Sequence, residues 1–124
     1  MTTSEWASRI WPALTLAARN RQILTYDILA KHIGQIRPAL GRCLEPIQSY
    51  CLTRTPPLPP LTILVVSEKT GLPGSGFIAA QDIPKKQMEV FAHNWPETQV
   101  PSVMDLESAL TELPSNGNLQ IKTD

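Results

Sequence analysis

The chain has 124 residues, and its eleven basic and eleven acidic side chains leave no net charge, which excludes the generalised phosphate affinity of a strongly basic protein. Its length fits one domain able to bury roughly two-thirds of the surface that its unfolded form exposes. No run is long and apolar enough to span a bilayer and the opening MTTSEW lacks the basic and apolar regions of a secretory signal, so a cytoplasmic protein with no membrane partner is expected.

The first predicted helix covers residues 4–19. Ser4 is its expected cap, Glu5 lies in its first turn, and Trp6, Ile10, Leu14, Ala17 and Ala18 share one face. Pro12 predicts a kink or a division into two pieces. A second, short helix is predicted over 26–33, capped by Thr25 and stopped by Gly34, with Ile28, Leu29 and Ile33 as its buried side. After a brief turn at Gln35 and Ile36, a third helix is predicted over 37–53. Pro38 suits its first turn, and an apolar stripe runs through Ala39, Leu40, Cys43, Leu44, Ile47, Tyr50 and Cys51, with a bend expected at Pro46. On one helix the two cysteines are about 12 Å apart, too far for a disulfide, and read as small buried apolar residues.

Residues 55–60, TPPLPP, are expected to form a stiff polyproline-like connector in preference to a ligand for a proline-binding partner. Residues 61–67, LTILVVS, read as a strand, 68–76 as a glycine-rich hairpin loop, and 77–80 as the returning strand. The loop sequence GLPGSG lacks the G-K-[ST] ending of a phosphate loop. A further helix is predicted over 84–93, with Met88, Phe91 and Trp95 facing the core. Ser102 and Asp105 have the spacing of a capping box, ahead of a last helix with Leu106, Ala109, Leu110 and Leu113 on its apolar face. Residues 115–124 read as a flexible tail.

Two helices joined by a tight glycine-containing turn, then two strands joined by a long loop, predict an α+β, winged-helix-like domain over residues 1–114 with a C-terminal helical extension. Charge is unevenly placed along it. Residues 1–60 hold seven cationic against three acidic groups, including all six arginines, and residues 61–124 hold four against eight. Arginine suits phosphate and guanine edges, so duplex DNA is the first partner expected. The DNA-contacting set is Tyr26 at the mouth of the second helix, Arg37 and Arg42 on the third, and the wing from Lys69 to Ser75. Arg37 and Arg42 lie about 140° apart around a helix, so one is assigned to a phosphate.

The run LTYDILAKHIG, then RPALGRCL, then a strand and a glycine-rich turn ending in GF, resembles the DNA-binding half of the O6-alkylguanine-DNA alkyltransferases and the non-enzymatic alkyltransferase-like proteins over residues 22–78. The resemblance implies a winged-helix scaffold on which Tyr26 matches a DNA-contacting tyrosine and Ala39-Leu40-Gly41 matches an A-V-G run. The family's base-flipping arginine falls on Pro38, with Arg37 one place away. Ser67 stands where the family has its acceptor cysteine and Glu68 where it has a histidine. A serine hydroxyl is un-ionised at neutral pH, so alkyl transfer is expected to be lost.

The expected function is therefore non-enzymatic DNA binding, with no cofactor. With only His32 and His93 as histidines, and no Cys/His pair at ligand spacing, no metal is expected either. The alternative is a protein-interaction module on the same scaffold, meeting its partner through the acidic C-terminal half or the hairpin tip. A homodimer fits either. An enzyme built on Ser67 and Glu68 ranks third, because adjacent strand residues face opposite ways.

Overall fold

A computed structural model of the chain describes residues 1–74 and 82–112. Among these residues it is mostly helical, with five α-helices and a two-stranded parallel sheet. Helix α1 spans Thr3–Arg19. Strand β1 is Leu24–Thr25 and runs directly into α2, Tyr26–Ile33. A 3-10 turn at Arg37–Ala39 leads into α3, Leu40–Thr53. Strand β2 is Val65–Val66, α4 is Ile83–Ala92 and α5 is Val103–Glu112.

Local chemistry places most helix ends. The cap of α1 is Thr2, two residues before the expected Ser4, because Thr2 and Glu5 complete a reciprocal pair. The Glu5 amide donates to Thr2 Oγ1 at 3.1 Å and the Thr2 amide to Glu5 Oε1 at 2.7 Å. Ser4 is buried instead. Pro12 does not divide α1, which is continuous through it, and Pro12 is exposed. The helix closes with Arg21 at φ +54°, its amide and that of Gln22 donating to the Ala18 and Ala17 carbonyls. Thr25 caps α2 through the Ile28 amide at 3.1 Å, and Gly34, at φ +81°, ends it. Ser102 and Asp105 cap α5 reciprocally, at 3.0 and 2.9 Å.

Helix α3 is the centre of the molecule. It packs against α1 and α5, and α5 also lies across α1. From Cys43 to Cys51 its only exposed residue is Glu45. Trp11 of α1 meets Tyr50 and Trp95 edge-on, both at 5.8 Å between centroids, and the Trp95 indole donates to the Val90 carbonyl at 2.8 Å. These contacts join α1, α3 and α4 at one end of the core.

The predicted strand over 61–67 is the largest correction. Leu61–Leu64 form a 3-10 turn, and only Val65 and Val66 are extended. All six side chains from Leu61 to Val66 are buried, each of the aliphatic ones being worth roughly 1.5–3 kcal/mol. A strand buries consecutive side chains only when both of its faces are covered. Here a turn started by the Pro60 carbonyl, which accepts from the Ile63 amide at 3.0 Å, distributes them among α1, α3 and α4. Strand β2 pairs in parallel with β1, Leu24 opposite Val65 and Thr25 opposite Val66. Parallel pairing needs a long crossover, supplied here by α2 and α3. Pairing stops after two residues because Thr25 already caps α2.

Smaller corrections follow from helix geometry. Ile28 is 56% exposed while Leu29, Ala30 and Ile33 are buried; Ile28 and Ile33 lie about 140° apart around the helix, so one face cannot take both. Met88 is 59% exposed because Val90, nearly opposite it, is the buried side of α4. Residues 37–39 are 3-10 where an α-helical start was predicted, with Pro38 unable to donate. The connector turns back instead of running straight, with a cis Thr55–Pro56 peptide and the Leu58 amide bonded to the Cys51 carbonyl. The predicted returning strand at 77–80 and the tail at 115–124 lie outside the described residues.

Candidate functional site

The 3-10 turn Arg37–Ala39 that leads into α3 packs against the first turn of α2. Tyr26, the first residue of α2, is half-buried and packs against the core. Its hydroxyl accepts from the Gly74 amide at 2.9 Å, 48 residues away. A Cβ at Gly74 would stand 2.5 Å from that oxygen, so a larger residue there would have to displace the Tyr26 hydroxyl. The Arg37 guanidinium lies 5.9 Å from the centre of the Tyr26 ring, and Arg37 Nε is 3.3 Å from Asp27 Oδ1. Both partners of that ion pair are more than half exposed, so it contributes at most about 1 kcal/mol.

The predicted site residues divide accordingly. Tyr26 and Arg37 are brought together. Arg42 is exposed on the first turn of α3, which, like the 3-10 turn before it, has no side-chain cap. Lys69 is exposed in a turn over Ser67–Leu72. That turn is closed by the Ser67 amide on the Leu72 carbonyl and the Gly71 amide on the Ser67 carbonyl, both at 2.8 Å, with Gly71 at φ +71°. Ser67 Oγ accepts from the Lys69 amide at 3.2 Å, so its hydroxyl serves the turn, and Glu68 is exposed. Ser75 lies outside the described residues.

Of the other arginines, Arg54 is committed to the fold. It covers the Tyr50 ring at 4.3 Å, donates to the Tyr50 carbonyl at 3.1 Å and pairs with Glu112 of α5 at 2.9 Å. The charge asymmetry of the sequence is thereby oriented along α3. Arg37 and Arg42 stand at its start, and the acidic α5 is fastened to its end. The two cysteines of α3 are buried and free. Burial pushes the Cys51 thiol up to about 11. Burial also raises the Cys43 thiol, opposed by a Gln35 hydrogen bond and the Arg42 charge.

Beside Tyr26 a pocket of about 170 Å³ opens between α2, α3 and the 3-10 turn at Leu61–Leu64. Leu44 and Pro73 form apolar walls, Gly41 and Glu45 are its exposed members, and Gln48 and Thr62 are buried. Thr62 is 5% exposed, and its Oγ1 has no hydrogen-bond partner among the described residues. Such an atom costs roughly 1–3 kcal/mol. Local spacing along the chain carries no signal for this pocket. Its one trace in the sequence is the single polar residue, Thr62, within the apolar run 61–66.

Compared with known proteins, the chain matches no protein-family model, no curated protein and no solved structure.

Proposed function

We propose that the protein binds duplex DNA without catalysing a reaction on it, through the starts of α2 and α3. In this reading α2, the turn at 34–36 and α3 act as a helix-turn-helix, and the Ser67–Leu72 turn is the root of a wing. The observation that carries it is Arg37 lying over Tyr26 in the 3-10 turn that leads into α3, with Arg42 exposed on the first turn of α3. Two exposed guanidinium groups on one short segment are favourable for phosphate. Asp27 holds Arg37 too weakly to compete with a phosphodiester.

A labelled generic duplex titrated by fluorescence anisotropy tests the reading. Affinity should fall steeply with salt, as phosphate contacts demand. The Arg37→Glu/Arg42→Glu double variant should remove most binding, and Asp27→Asn should tighten it about two- to fivefold by removing a like charge from the interface. Unchanged affinity in the double variant rules out this face.

A protein-interaction module is the second reading. One observation favours it: a groove between α1 and α2, floored by Ala17, Leu24 and Leu29, is bordered by Leu16 and Ile28, each 56% exposed. A duplex that stays free at low salt, together with a protein partner lost in Leu16→Asp/Ile28→Asp, would select it.

A further inference from the structure

We propose that the pocket between α2 and α3 is a binding site for a small, single-ring molecule that donates hydrogen bonds and is neutral or cationic. The inference does not rest on DNA binding. Three features of the pocket carry it.

The first is size and shape. A volume of about 170 Å³ is close to the roughly 150 Å³ of an apolar cavity known to admit benzene. Leu44 and Pro73 offer surfaces against which a flat ring can lie.

The second is polarity. The described lining holds one acidic group, Glu45, and no basic one, while Tyr26, Gln48 and Thr62 add neutral hydrogen-bonding groups. Glu45 at the mouth favours N–H donors over carboxylates. Thr62 is also the one buried side chain among the described residues with an unpaired polar atom, and buried polar groups in native proteins are otherwise satisfied. A bound donor would satisfy it.

The third is Gly41. It lies in the first turn of α3, continuous with the 3-10 turn before it, where glycine is a poor helix former. Its φ is not positive, and a Cβ there would meet nothing within 4 Å. Neither backbone conformation nor crowding by the described residues requires glycine at this position. What its missing side chain leaves clear is the pocket.

The test uses the full chain and three probes of one shape and different charge: benzamidine, benzamide and benzoate, followed by amide chemical shifts. Benzamidine and benzamide should shift the signals of Tyr26, Gly41 and Thr62 at millimolar concentration, and benzoate should not. Gly41→Leu projects a side chain into the pocket on a better helix former. Thr62→Val keeps shape and removes the orphan hydroxyl. Both variants should melt at or above the temperature of the parent protein while benzamidine binding weakens about tenfold or more. A hydroxyl kept only for folding gives the opposite pattern for Thr62→Val, with stability lost and affinity unchanged. That pattern overturns the proposal, as does benzoate binding as well as benzamidine, undiminished binding in Gly41→Leu, or no probe binding at all.

Discussion

Arg21 shows how one residue can be held in an unfavourable conformation by the chain around it. At φ +54° it occupies the left-handed region that glycine adopts freely and a branched side chain does not. It stays there because its amide and that of Gln22 close the end of α1 on the Ala18 and Ala17 carbonyls. Arg21→Gly should therefore stabilise the fold by up to about 1 kcal/mol, seen as a rise in melting temperature of roughly 3–5 °C. A lower melting temperature would mean that the arginine side chain makes a contribution larger than its backbone strain.

At the scale of the element, Thr25 belongs to two structures at once. Its side chain caps α2 through the Ile28 amide, and it is the second residue of β1, opposite Val66. One residue thus sets both where α2 begins and where the sheet ends. Thr25→Ala should cost about 1 kcal/mol from the lost cap. Hydrogen exchange should show the loss as faster opening of the first turn of α2, with the amides of α1 unaffected. Thr25→Ser keeps the capping oxygen and should restore protection; a serine variant no better than alanine would put the threonine methyl, and not the cap, in control.

At the scale of the molecule, three titrating groups on different elements act in the same direction. Burial lowers the pKa of His93, which hydrogen-bonds Thr98 at 2.7 Å and packs edge-on against Trp95. Backbone hydrogen bonds lower Glu5 and Asp105, from Thr2 and Ser102 respectively. A histidine lowered by folding favours the native state fully above its ordinary value of about 6.5 and loses that contribution as pH falls from there through the folded value. The two carboxylates contribute above their ordinary range, about 4, and lose it as pH falls through their lowered values. Melting temperature should accordingly decline in two stages on acidification, and His93→Gln should flatten the first stage only. A melting temperature that rises between pH 7 and pH 5 contradicts the assignment.

Much of the helical content was legible in the sequence because its causes are local. Thr25 and Gly34 bound α2, Ser102 with Asp105 starts α5, and the stripe from Leu40 to Cys51 requires a buried helix. Each follows from residues within a turn or two of one another. The segment 61–67 was not legible, since a continuous apolar run fits a strand and a buried turn alike, and the choice fell to the helices around it. Nor could spacing along the chain reveal that Tyr26 is tied to Gly74, that Arg54 is spent on Glu112, or that Gly41 and Thr62 border one pocket. The amino-acid sequence by itself determined which segments are helical, where α2 begins and ends, and that an arginine-rich half precedes an acidic one. Only the tertiary structure decided which arginines remain exposed and where a pocket opens, because both depend on contacts between residues some twenty to sixty positions apart, for which local periodicity carries no signal.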